Sequence, residues 1–152
     1  MENKPAKILC CTDFSANALT AFDVAVEAAS HRPGAEVHLL HVLAEPEVQF
    51  WRTYVYQADF NIDEKAKQDI EERVNNEYRS RLPEGMKLVF AIRVGRDYEQ
   101  ILSYASEVGA DFMVIGRQGS SSSALRSFFF GNVAERVVSR ANCPVLVVPC
   151  KN

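Results

Sequence analysis

Five short apolar runs, separated by stretches with helical spacing, constrain this chain more than any other feature. The runs are residues 7–12 (KILCCT), 35–42 (AEVHLLHV), 86–93 (MKLVFAIR), 111–115 (DFMVI) and 144–149 (PVLVVP). Phe112-Met113-Val114-Ile115 is the kind of run that fills a parallel strand buried on both faces. After the first run, Ser15 is placed to cap a helix whose apolar positions are Leu19, Phe22, Val26 and Ala29, with Pro33-Gly34 as the stop. Residues 43–61 are less regular and carry Phe50, Trp51, Tyr54, Tyr56 and Phe60. Asp63 then reads as the cap of a long polar helix with a narrow stripe, Ala66, Ile70, Val74 and Tyr78, ended by Pro83-Glu84-Gly85. Asp97 to Gln100 resembles a capping box, Ile101, Leu102, Ala105 and Val108 face a core, and Gly109 is a C-terminal stop. The last helix starts at Asn132, with Val133, Val137 and Ala141 on one face.

Strands that alternate with helices predict an α/β fold, a five-stranded parallel sheet with helices on both faces. Right-handed crossovers leave few strand orders, and 3-2-1-4-5 is the favoured one. That order sets the ends of strands 1 and 4 side by side where the winding reverses, the place where open α/β sheets bind ligands. A chain of 152 residues predicts a single domain, 1–152. At that size a domain buries roughly 70% of its unfolded surface, enough for a core without metal or disulfide.

Charge excludes some partners. Seventeen basic against twenty acidic residues leave a net of −3, so the chain has no general attraction for nucleic acid or an anionic membrane. No apolar run approaches the ~20 residues of a membrane span. The opening MENKPAKILCCTDF does not read as a signal peptide, and a cytoplasmic setting is the expectation. Cys10, Cys11, Cys143 and Cys150 have no metal-type spacing and are expected to be reduced thiols, the adjacent pair pointing to opposite faces of a strand. His38 and His41, three apart on a strand, also face opposite sides and do not form a metal pair, while His31 is a helix-end residue.

The candidate site follows from the segment 111–138. Gly116 and Gly119 remove side chains where backbone can approach a ligand closely. Gly131-Asn132 opens a helix, whose free N–H groups suit an anion such as phosphate. Asn132-Val133-Ala134-Glu135 also fits a capping box, and an Asn whose oxygen caps can still donate through its NH₂. Asp13, just past strand 1, suits ribose hydroxyls and equally suits a turn in which it bonds its own backbone two residues on. Arg117, Arg126 and Lys151 can bring charge to a triphosphate, although a solvated arginine explains Arg126 as well. The aromatic segment 50–60 reads as packing for a long connection or, less readily, as a base-stacking cover. No nucleophile elbow, Walker loop or acid–base–nucleophile set is present.

The stretches CTDFSANALTAF, LLHV, GADFMVIGRQG, GNVAERVV and CPVLVVP together resemble the universal stress protein family over essentially the whole chain. The resemblance implies the adenine nucleotide alpha hydrolase-like fold and a homodimer through the last strand, Pro144 to Pro149. An apolar edge strand needs such a cover. It implies a stress-response or signalling module that binds ATP or AMP, with or without Mg²⁺. In the nucleotide-binding branch the motif is Gly-x2-Gly-x9-Gly-Ser/Thr. Gly116 and Gly119 match its first half and Gly131 its third glycine, but eleven residues, Ser120 to Phe130, lie between Gly119 and Gly131, and Asn132 stands where Ser or Thr is expected. A longer loop costs little in closure entropy. By the same resemblance Thr12 and Asp13 match the strand-1 positions, with Asp13 at the ribose. Val42 matches the residue whose backbone meets adenine, and Gly116, Gly119, Gly131, Asn132 and Val133 match the ribose and phosphate loop. An interaction protein of the same fold with a vestigial site is the alternative, and a slow ATPase or a protein self-phosphorylating at Ser120 to Ser123 is a second.

Overall fold

The sheet order is β3-β2-β1-β4-β5, every neighbouring pair parallel. This is the predicted 3-2-1-4-5 order with helices on both faces. The structure, a computed structural model, describes residues 5–43, 62–117 and 132–150. Along the chain the elements are β1 (Lys7–Cys11), α1 (Ala16–Ser30), β2 (Glu36–Leu43), α2 (Ile62–Glu77), a 3₁₀ turn (Arg79–Arg81), β3 (Lys87–Val94), α3 (Asp97–Val108), β4 (Phe112–Gly116), α4 (Asn132–Arg140) and β5 (Val145–Val148). Each strand lies within about a residue of its predicted bounds. β5 is shorter than 144–149 because Pro144 and Pro149, which have no N–H to donate, flank it.

Period-two alternation splits the core into two layers. Ile8, Cys10, Val37, Leu39 and Val114 point to one side, where they meet Phe22 and Val26 of α1, Val74 of α2 and Tyr78. Leu9, Cys11, Leu40, Met113 and Ile115 point to the other, against Ile101 and Ala105 of α3 and Ala134 and Val137 of α4. Each fully buried aliphatic or aromatic side chain contributes about 1.5–3 kcal/mol. Cys10 and Cys11 therefore do face opposite layers, and none of the four cysteines is in a disulfide. Burial pushes the Cys11 thiol up to about 12 and Cys10 well above its ordinary value, so both are inert packing groups.

The helix ends agree with the sequence at Ser15, His31 and Gly109, and the expected caps at Asp97 and Asp63 are displaced. Ser15 caps α1, its Oγ accepting from the Ala18 N–H at 3.1 Å, and His31 is the residue that ends it. Gly109 closes α3 in the left-handed conformation, φ 70°, and Ala110 N–H reaches back to the Ala105 carbonyl at 2.9 Å. Asp97, in contrast, is not the cap of α3. Arg96 occupies that position without a side-chain cap, and Asp97, the first helical residue, accepts from the next N–H, Tyr98, at 2.7 Å. The Gln100 side chain packs over Gly95 instead of closing a capping box. Asp63 lies inside the first turn of α2, which already begins at Ile62. The last helix does begin at Asn132, which is its first helical residue and not a cap ahead of it; residue 131 lies outside the described residues.

Candidate functional site

The crevice predicted at the winding reversal is bounded by the C-terminal ends of β1 and β4, which pair with Ile8 against Phe112 and Cys10 against Val114. On the β1 side the chain turns through Thr12, Asp13 and Phe14 into α1. Thr12 is buried, its N–H bonded to the Leu40 carbonyl at 2.9 Å. Its hydroxyl accepts from Phe14 N–H at 2.8 Å and shares a short hydrogen bond with the Tyr78 hydroxyl. Asp13 is exposed, and its Oδ1 accepts from Ser15 N–H at 3.0 Å. Of the two roles open to Asp13, the turn role is thus present, on one oxygen.

Phe14 carries this turn in the left-handed region, φ 64°, the one described non-glycine residue with positive φ. For a bulky L-residue that conformation costs roughly 1–2 kcal/mol, so its surroundings must over-determine it. They do. The Phe14 ring meets His41 at 4.7 Å and stands edge-on to Tyr78 at 5.9 Å. The Arg73 guanidinium lies over the same ring at 4.6 Å and donates to the Phe14 carbonyl at 3.3 Å. His41 Nδ1–H donates to the Thr12 carbonyl at 2.8 Å. Burial holds the Tyr78 hydroxyl up at about 12, against the opposing pull of its bond to Thr12.

His38 and His41 do lie on opposite faces. His38 is buried beside the Tyr104 hydroxyl, 3.1 Å from Nδ1, with Glu36 at 3.2 Å from Nε2. His41 instead belongs to the Phe14 cluster. Phe14, Arg73 and His41 were not among the site residues read from sequence, and Tyr78 was read only as the end of an apolar stripe. No local signal marks them, because their meeting depends on α2 packing over the β1 turn.

The β4 side is simpler. Gly116 ends β4, and the next N–H, Arg117, donates to the Val148 carbonyl of β5 at 2.8 Å. Arg117 is half-buried, and its Nε is buried without a hydrogen-bond partner among the described residues, which sets it apart from a solvated arginine. Gly116 has a neighbour that the sequence did not reveal: the Asn17 side chain packs directly on its Cα. Beyond β4 come Asn132, exposed, and Val133, half-buried, in the first turn of α4. Val42 is half-buried near the end of β2, beside Arg93 of β3. Gly119, Gly131, Arg126, Lys151, Ser120 to Ser123 and the aromatic segment 50–60 lie outside the described residues. Thr12, Asp13 and Gly116 thus gather at one end of adjacent strands, and the described residues include no group of His, Cys, Asp and Glu able to hold a metal ion.

The architecture is an α/β fold whose five-stranded parallel sheet, order 3-2-1-4-5, reverses its winding between β1 and β4. The chain belongs to the universal stress protein family, whose model matches residues 5–149. It is 30% identical to universal stress protein MJ0577 of Methanocaldococcus jannaschii over 158 aligned positions, 96% of each chain. The solved structure of MJ0577 superposes with a TM-score of 0.73 at 31% identity, covering 97% of both chains. A universal stress protein from Archaeoglobus fulgidus, solved in complex with dAMP, shares the fold at a TM-score of 0.63 and 24% identity, over 95% of this chain and 98% of that one. Another family member, solved in complex with cAMP, does so at a TM-score of 0.65 and 22% identity, over 94% of this chain and 96% of that one.

Proposed function

We propose that this chain is a stress-response module that binds an adenine nucleotide, ATP or AMP, in the crevice between the ends of β1 and β4. The observation that carries the reading is the exposed Asp13 carboxylate on a rigidly held turn, beside the strand that ends in Gly116. In this reading Thr12 and Asp13 face the ribose, and the Val42 backbone meets the base. Gly116, Gly119, Gly131, Asn132 and Val133 surround the phosphates. The start of α4 supplies N–H groups and a dipole that favours an anion by about 0.3–1 kcal/mol. The unpartnered Nε of Arg117 is a donor of matching charge. The nucleotides bound by the Archaeoglobus protein and by the cAMP complex support an adenylate as the ligand class. If ATP is the ligand, Mg²⁺ would accompany it, ligated by the phosphate oxygens.

The test is a melting-temperature series against ATP with Mg²⁺, AMP, dAMP and cAMP. A ligand that binds only the folded state stabilises by RT ln(1 + [L]/Kd), about 2.7 kcal/mol at a hundredfold excess over Kd. An upward shift with wild-type protein that is lost in Asp13→Ala is the expected result. Absence of any shift at millimolar nucleotide removes the reading.

A second reading, an interaction protein with a vestigial site, is favoured by one observation: the Thr12 hydroxyl is already engaged by Tyr78 and Phe14 N–H. In both readings a second copy pairs along β5, an edge strand that exposes Leu146 to 47%. Sedimentation velocity of wild type and Leu146→Asp checks this. A monomeric wild type rejects the pairing, and a dimer that the substitution dissociates supports it.

A further inference from the structure

Gly116 is a glycine whose backbone does not require one. It is not among the positive-φ residues. What it requires is space. A Cβ at this position would stand 2.9 Å from Asn17 Oδ1, 3.0 Å from Asn17 Cγ and 3.3 Å from the Asn17 carbonyl. Asn17 is not free to give way: it is 6% exposed, and its Nδ2 donates to the Val148 carbonyl at 3.1 Å. That carbonyl also accepts from Arg117 N–H at 2.8 Å.

We propose that Asn17 is a positioning residue, interlocked with Gly116 and the Val148 carbonyl, that fixes the exit of β4 against the Asp13 turn. Asn17 sits in the first turn of α1, four residues beyond Asp13, so one side chain joins the two walls of the crevice. The chemistry suits asparagine. The position needs a donor for a carbonyl that already serves Arg117, and a flat amide thin enough to lie on a bare Cα. An aspartate would set a carboxylate against the Val148 carbonyl, and a leucine, branched alike but bulkier, would leave no donor. The interlock also ties the last residue of edge strand β5 to both walls. Asn17 is then by itself a sufficient reason for Gly116 to stay bare. The positioning role rests on the nucleotide reading; the interlock itself does not.

A mutant cycle separates the two. Gly116→Ala, Asn17→Ala and the double variant are each measured for ligand-free melting temperature and for AMP affinity by calorimetry at a temperature where all are folded. Gly116→Ala is expected to lower the melting temperature, and adding Asn17→Ala is expected to recover part of that loss, because the clashing amide is gone. Recovery of folding by the double variant where Gly116→Ala alone fails to fold is the same result in stronger form. Losses that simply add, or a double variant that fails to fold, overturn the interlock. Asn17→Ala alone is expected to raise the Kd for AMP about tenfold. A lowered melting temperature with unchanged Kd overturns the positioning role. If wild type binds no AMP, the nucleotide reading and the positioning role fall together, and the melting cycle still decides the interlock.

Discussion

The two walls of the crevice are built in opposite ways. The β1 wall is crowded: Phe14 is held in a left-handed turn by Arg73 and Tyr78 from the α2 region and by His41 from β2. The β4 wall depends on a missing side chain, with Asn17 lying on Gly116 and backbone groups meeting at Val148. Strain on the first wall is offset by aromatic, cation–π and hydrogen-bond contacts worth of order 1 kcal/mol each. The second carries no left-handed residue among the described residues and depends on fit. One wall therefore fails when an anchor is removed, and the other when an atom is added.

The largest expected effect breaks the first wall. Tyr78→Ala removes a fully buried ring that packs on Phe14 and on Phe22 at 4.8 Å, and deletes the partner of the Thr12 hydroxyl. A loss of about 3–5 kcal/mol is expected in urea denaturation. Tyr78→Phe keeps the ring and is expected to cost about 1 kcal/mol. Equal costs for the two would show that packing is irrelevant to this anchor.

An intermediate effect comes from alkali. Cys11 and Tyr78 have folded values pushed up to about 12 by burial, above ordinary values of 9.0 and 10.0. The unfolded chain therefore releases protons first as pH rises. The stability that these groups contribute is fully present below pH 9 and is lost as pH climbs through 9 to 12. Each group is expected to steepen the fall by about 1.4 kcal/mol per pH unit within its window. The β4 wall has no part in this, since an amide and a carbonyl do not titrate. Cys11→Ala should flatten the part of the curve that begins near pH 9, and an unchanged curve would contradict the assignment.

The smallest effect sharpens the comparison. Arg73 is half-exposed, so Arg73→Ala is expected to cost only about 1 kcal/mol of stability. Because Arg73 holds the turn that carries Asp13, the same variant is expected to weaken nucleotide binding by roughly threefold to tenfold. An affinity equal to wild type would show that the turn needs no help from α2.

Much of the fold was legible because its signals are local or periodic. Ser15 and Gly109 announced their helix ends, and the alternation along β1 sent Cys10 and Cys11 to opposite layers. Asp97 was misplaced by one position because an acidic residue suits both the cap and the first helical turn. At Gly116 the sequence shows that a side chain is missing, but not that Asn17 packs against the bare position.

The sequence by itself determined the alternation of strands and helices, and with chain handedness the 3-2-1-4-5 order that sets β1 beside β4. Only the tertiary structure decided that Phe14 would be left-handed, that Arg73 and Tyr78 would hold it, and that Asn17 would lie on Gly116. The physical reason is distance along the chain. Arg73 and Phe14 are 59 residues apart, Thr12 and Tyr78 66, and Asn17 and Val148 131. Periodicity and capping act within a few residues, whereas contacts between residues this far apart exist only once the layers have packed.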